Sequence, residues 1–242
     1  MRQSIYPITP VAITPGTAGS WQQVNLSSYL PVGATGALFH NVNAHASLWR
    51  AFGLRKNDST DNRIQTLHFS GHNWAAMGVD VNRILQAYVE NTTDQSIYLV
   101  GYTMSSITFL DNAIDKSPAT VGSWQNIDLS AYPKAIGFIF EIAETTNTLY
   151  LLGMRKNGST DTSNSGTRNH QTFSVFIGCD GSQIVQAFIE NAAIQIWLTG
   201  IIYDGVVFNT NANEVTPASP NIWTNLTSLP ANSCMGIYEI DN

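Results

Sequence analysis

The sequence predicts an all-β chain: two tandem antiparallel β-sandwich (jelly-roll-like) domains plus a partial third repeat. Three observations predict it. The chain repeats itself internally, its apolar residues alternate over short runs, and no stretch of ten or more residues keeps an i, i+3, i+4 apolar stripe.

The repeat is read block by block. GSWQQVNLSSYLP (Gly19 to Pro31) returns as GSWQNIDLSAYP (Gly122 to Pro133). GLRKNDSTD (Gly53 to Asp61) returns as GMRKNGSTD (Gly153 to Asp161), and ILQAYVEN (Ile84 to Asn91) as IVQAFIEN (Ile184 to Asn191), both at an offset of 100 residues. IYLVGY (Ile97 to Tyr102) closes the first unit and IWLTGI (Ile196 to Ile201) the second. An aromatic residue fifteen positions before a Trp, with a Pro six before it, occurs at Tyr6/Pro15/Trp21, Phe109/Pro118/Trp124 and Phe208/Pro217/Trp223. These three starts predict units at 1–108, with an N-terminal arm at 1–18, at 109–204, and a partial unit at 205–242. The Thr/Asn/Pro-rich stretches 111–121 and 209–221 read as the boundaries.

Within each unit the strands follow from side-chain alternation. In ILQAYVE, Leu85, Ala87 and Val89 share one face and Ile84, Gln86, Tyr88 and Glu90 the other, as successive strand residues must. Val185, Ala187 and Ile189 repeat the pattern. GALFHNV, GFIFEIA, SIYLVGY and IQIWLTG are short runs of the same kind, rich in β-branched and aromatic residues. Asn-Asp in KNDS and Asn-Gly in KNGS tolerate the left-handed backbone of tight turns. Six to eight such strands in about 100 residues suit a two-sheet sandwich whose inner faces bury the alternate apolar side chains.

Composition narrows the function. Of 242 residues 43% are hydrophobic and only 12% charged, against about 25% charged in ordinary soluble domains. The surface is therefore polar through Asn, Ser and Thr. A formal net charge of −6, with eleven Lys plus Arg and no basic run, argues against nucleic acid or an anionic membrane as partner. No window approaches the roughly eighteen apolar residues of a membrane span. Three Pro interrupt MRQSIYPITPVAITPG, so it does not read as a signal peptide. Two Cys, Cys179 and Cys234, are too few for a disulfide framework or a Cys-based zinc site, and synthesis inside a cell fits best.

Catalytic constellations are missing from the sequence: no HExxH, GxSxG, P-loop, GxGxxG or CxxC motif occurs. His68 and His72 stand i, i+4, which brings two metal ligands together on a helix and not on strand and loop. Glu90, Asp94, Glu141 and Glu144 are raw material for a glycosidase, yet Asp94, Glu141 and Glu144 lack acidic counterparts in the other copy. The expectation is no enzyme, no metal and no cofactor.

Three groups remain as binding candidates. Arg55, Lys56, Ser59 and Asp61 recur as Arg155, Lys156, Ser159 and Asp161. They read as a loop that contacts a neighbouring subunit, or more plainly as an Arg paired with Glu90 or Glu190 beside an Asx turn capped by Asp61 or Asp161. Trp49, His72 and Trp74 occur only in the first copy. Exposed Trp beside polar groups is what a sugar-binding surface uses, the plainer reading being buried core Trp. Trp223, Leu226 and the strand MGIYEI, with Ile237 and Tyr238, would expose an apolar face and free strand edges, which marks 205–242 as an assembly element.

The pattern W-x-x-[VI]-[ND]-L-S, then G-[LM]-R-K-N-x-S-T-D, I-x-Q-A-[YF]-[VI]-E-N and a closing [LV]-x-G, resembles a repeat of virion structural proteins of tailed bacteriophages. The resemblance covers nearly all of the chain. It implies β-sandwich modules that decorate capsids as cement or head-fibre proteins, or that build tail fibres. It implies no catalytic residues. The partners it implies are further copies of the chain and other virion proteins, such as the major capsid protein or a tail protein. The expected place is the virion, after synthesis in the bacterial cytoplasm. The alternative is a carbohydrate-binding or tail-fibre module for host attachment.

Overall fold

The structure is a computed structural model in which residues 3–166, 171–217, 219, 222, 224–226, 233 and 235–237 are described. The described residues form strands, turns and loops, with no α-helix. The first unit contains β1 (Ile5–Ala12), β2 (Gln22–Asn25), β3 (Gly36–Asn43), β4 (Arg50–Lys56), β5 (Gln65–Leu67), β6 (Gly71–Gly78), β7 (Ile84–Val89) and β8 (Gln95–Thr103). The second contains β9 (Ile107–Asp115), β10 (Gln125–Asp128), β11 (Gly137–Glu144), β12 (Leu151–Lys156), β13 (Ser165–Gly166), β14 (Thr172–Gly178), β15 (Ile184–Ile189) and β16 (Ile194–Ile202).

Each unit is an antiparallel two-sheet sandwich. The first pairs the sheets β1-β8-β3-β6 and β2-β7-β4-β5, and the second the sheets β9-β16-β11-β14 and β10-β15-β12-β13. In both, the first, eighth, third and sixth strands make one sheet and the second, seventh, fourth and fifth the other. This is the strand order of a jelly roll. The expected fold class is therefore the one observed.

Alternation produces the two cores. Leu85, Ala87 and Val89 of β7, and Val185, Ala187 and Ile189 of β15, are wholly buried. They meet Phe39, Ile97 and Leu99 in the first sandwich and Phe138, Phe140, Ile142 and Ile196 in the second. Each such side chain withdrawn from water contributes about 1.5–3 kcal/mol. Cys179 occupies the place of Val79 in the repeat and is buried likewise, its thiol donating to Ala135 O at 3.2 Å. Burial pushes that thiol above its ordinary pKa.

The turns repeat as closely as the strands. Asp58 and Gly158 adopt φ of 63° and 86° in the KNDS and KNGS turns. Asp80 Oδ1 accepts the N–H groups of Asn82 and Ile84 at 2.8 Å each, and Asp180 Oδ1 those of Ser182 and Ile184 at 2.9 Å each. One placement differs from the sequence reading. β9 runs on through Asp111–Asp115, part of the stretch read as a boundary; the N-terminal residues supply β1 as the first strand of the first sandwich, as the Tyr6/Pro15/Trp21 match implies. Strand character at 111–115 is hidden from apolar periodicity because these residues lie on a sheet edge and bond sideways to the preceding unit.

Candidate functional site

The repeated loop after β4 is held from below. Arg55 Nε donates to Gln86 Oε1 at 2.6 Å, its Nη1 to Asp61 O, and its guanidinium lies 4.3 Å from the Trp21 ring centre. Arg155 does the same with Gln186 at 2.8 Å, Asp161 O and Trp124 at 4.0 Å. The Arg–Glu pair offered by the sequence does not form, because the register sets Arg55 opposite Gln86. Glu90 instead accepts Ala51 N–H at 2.6 Å and Glu190 accepts Leu151 N–H at 2.7 Å. Both Arg residues are scaffold.

The rim of the same loop grips the start of the next unit. Ser59 Oγ donates to Asn112 Oδ1 at 2.8 Å, Thr60 N–H to the same oxygen at 2.9 Å, and Ala113 N–H to Asp61 Oδ2 at 2.8 Å. After the second unit, Ser159 Oγ and Thr160 N–H donate to Asn211 Oδ1 at 3.0 and 2.9 Å, and Ala212 N–H donates to Asp161 Oδ2 at 2.7 Å. The aromatic residue three positions before each Asn fills a floor of glycines. A Cβ on Gly36 or Gly78 would come within 2.2 or 2.5 Å of Phe109, and one on Gly137 or Gly178 within 2.4 Å of Phe208. A plug of sequence Phe-x-x-Asn-Ala thus enters one socket twice. Lys56 adds an ion pair to Asp111 at 2.5 Å in the first junction; Thr210 stands in place of Asp111 in the second.

Comparing FLDNA at 109–113 with FNTNA at 208–212 locates the plug from sequence alone. The equivalent positions of β1 are Tyr6, Thr9 and Pro10, and Pro10 has no N–H for an aspartate to accept. Of the residues expected to assemble, Leu226 and Ile237 are exposed at 40% and 44%, while Trp223 and Tyr238 lie outside the described residues. Val206, Phe208 and Met235 do pack against an apolar cluster shared by both units.

That cluster joins the sandwiches. Ile5 and Ala76 of the first unit meet Ile107, Phe109, Ile139 and Ile202 of the second. Around it, Arg63 bridges Asp61 at 2.5 Å and Glu141 at 3.2 Å, with its guanidinium 5.2 Å from the Trp197 ring centre. Asn73 Nδ2 donates to Thr172 O, and Ala76 N–H to Ser174 Oγ at 2.9 Å. Burial pushes the Glu141 carboxyl above the usual carboxylate range, with Arg63 opposing. Burial also weighs against the Arg63 charge, but Glu141 and Asp61 together hold its pKa above the ordinary value. The first unit thereby roofs the outer face of the β9-β16-β11-β14 sheet.

The matching face of the first unit is open at the end that carries His40, Trp74 and Tyr98, while Leu38 and Ala76 on the same face lie in the shared cluster. His40 Nε2 and His72 Nδ1 share a hydrogen bond of 2.9 Å. The His40 ring stacks on Trp74 with centres 4.8 Å apart and planes 20° apart, and Tyr98 lies 6.3 Å away. Trp74 is 57% exposed. Trp49 is not part of this group; its ring lies 5.8 Å from His68 in the loops at the strand ends. The two tryptophans the sequence groups together are thus separated, and His40 and Tyr98 join instead. Among the described residues no cluster of three or more His, Cys, Asp or Glu could hold a metal ion, and no helix is long and apolar enough to cross a membrane.

No protein-family model matches the chain, and no curated protein matches it. Among solved structures, a chain of the cryo-EM structure of broad bean stain virus is similar at 8% identity and a TM-score of 0.28, over 83% of this chain and 88% of that one. The crystal structure of the STIV MCP is similar at 8% identity and a TM-score of 0.32, over 82% and 97%. The tandem CBM22-1–CBM22-2 domain of Paenibacillus barcinonensis Xyn10C is similar at 9% identity and a TM-score of 0.19, over 83% and 92%. TM-scores this low carry no argument about fold or function.

Proposed function

We propose that this chain is a non-enzymatic structural protein of a bacteriophage virion, which decorates or cements the capsid through multivalent protein–protein contacts. One observation carries the reading: the Phe-x-x-Asn-Ala plug and its socket are built twice, with the same atoms. A chain whose repeated polar residues serve contact between units is specialised for assembly. The jelly roll agrees with this, since it recurs in viral capsid and lectin domains, although fold alone does not decide function. Its partners are further copies of the chain and the major capsid protein or a tail protein, and its place is the virion. Many copies on a symmetric shell would multiply a modest affinity per contact. Residues 205–242 act as an assembly element, anchored by Phe208 and Asn211. Heating capsids with and without the protein tests the cement role: decorated capsids should release their contents at higher temperature, and equal stability would sink the reading.

A second reading, a carbohydrate-binding module for host attachment, is favoured by the exposed and stacked Trp74. A glycan array tests it.

A further inference from the structure

We propose that the open end of the outer face of the β1-β8-β3-β6 sheet binds a neutral saccharide, with Trp74 as the stacking platform, His40 and Tyr98 as the support behind it and His72 as its polar neighbour. The proposal rests on the second reading above and supplies its ligand class and its floor.

Register makes the two units comparable atom for atom. In β11 Glu141 stands opposite Ser174 on one side and Trp197 on the other. In β3 His40 stands opposite Trp74 on one side and Tyr98 on the other. The same three places therefore hold Glu, Ser and Trp in the second unit and His, Trp and Tyr in the first. In the second unit they are covered by the first, with Arg63 on Glu141 and Trp197. In the first unit the largest of the three, Trp74, faces water.

An indole left in water is no help to folding, and this one is held in place. His40 covers one side of the ring, and the hydrogen bond to His72 fixes His40. The other side of the indole is a flat apolar surface, while Tyr98 stands behind His40 and His72 lies two residues before Trp74 on the same strand face. His72 uses Nδ1 on His40, which leaves Nε2 for a hydroxyl. The C–H face of a pyranose matches such a ring, and its hydroxyls match the free His72 nitrogen. The cluster holds no Lys, Arg, Asp or Glu, and burial together with His72 disfavours a charge on His40. A phosphate chain would find no cation there. The protein contact made at the same places in the second unit uses an ion pair and aliphatic side chains, and the first unit has replaced its Glu by a neutral imidazole.

The experiment compares the intact chain with Trp74→Ala and Trp74→Phe on an array of neutral glycans, with sedimentation, capsid attachment and thermal midpoint measured in parallel. The expected result is a neutral glycan bound by the wild type, about tenfold or more weaker with Trp74→Ala and largely retained with Trp74→Phe, the midpoint unchanged. No neutral glycan bound, or binding indifferent to Trp74→Ala, overturns the proposal. If Trp74→Ala abolishes self-association or capsid attachment and no glycan binds, the face is a protein interface; the proposal then fails and the structural role stands. If glycan binding depends on Trp74 and the chain leaves capsids unaffected, the proposal holds and the structural role falls.

Discussion

Phe109 lies so close against Gly36 that a single added methyl on the glycine would sit 2.2 Å from its ring. The junction between the sandwiches therefore depends on an absent side chain. Gly36→Ala should cost about 1–3 kcal/mol by overpacking and lower the thermal midpoint. Gly16→Ala, where nothing lies within 4 Å, is the control and should leave the midpoint within experimental error. Differential scanning calorimetry of the two variants decides it.

Asn211 is held by Ser159 and Thr160 in the second socket. Asn211→Ala removes both acceptor contacts and should weaken docking of the segment by about 1–2 kcal/mol. Limited proteolysis reads the effect: cleavage between 204 and 217 should accelerate in the variant, while the first junction stays intact. A cycle with Ser159→Ala should show a coupling of about 0.5–1.5 kcal/mol. Additive effects would mean the contact is not formed in solution.

Arg63 and Glu141 should respond unequally to mutation. Arg63→Met leaves a buried carboxylate without its counter-ion and should cost about 3–5 kcal/mol. Glu141→Gln leaves Arg63 still paired to Asp61 at 2.5 Å and should cost about 1–2 kcal/mol. The pH dependence has a definite sign. Burial raises the Glu141 carboxyl in the folded chain, so the folded state takes up its proton more readily than the unfolded one. Without Arg63 that bias grows, and Arg63→Met should recover stability, relative to wild type, as pH falls into mild acid. Thermal melts of both variants across pH check this.

His40 titrates the opposite way. Burial first, and His72 second, hold its imidazole below the ordinary 6.5. The fold thus favours the neutral ring, a contribution complete above 6.5 and lost as pH falls through the range below it. The wild type should lose stability on that acid side, and His40→Phe should lose less. Identical pH profiles for the two proteins would contradict the assignment.

Much of the fold is legible in the sequence because one chain carries two copies of it. Leu85, Ala87 and Val89 fall into a core by their alternation and by Val185, Ala187 and Ile189 repeating it. Partners across strands are not legible, because spacing along a chain does not set register. Spacing offers Glu90 to Arg55 when Gln86 is the residue opposite. Trp49 and Trp74 look alike as first-copy tryptophans, yet one belongs to a loop and the other to a sheet face. His40 is inconspicuous inside GALFHNV, since only the pairing of β3 with β6 brings it under Trp74. The socket is visible as a repeated loop, and its occupant shows only as the match of FLDNA with FNTNA, in a stretch whose residues carry hydrogen-bond acceptors instead of apolar periodicity.

Pro10 gives the junction a direction. An interface that joins the tail of one unit to the head of the next is the kind that grows into open filaments when separate molecules can make it. Where Ala113 and Ala212 give an N–H to an aspartate, the equivalent place in β1 holds a proline ring. A β1 offered to the second socket would have to displace residues 208–212 and would strand the Asp161 carboxylate, at a cost of about 1–3 kcal/mol, or roughly five- to more than a hundredfold in affinity. β1 is thus a poorer occupant of such a socket than 109–113 or 208–212, and the cost falls on one aspartate.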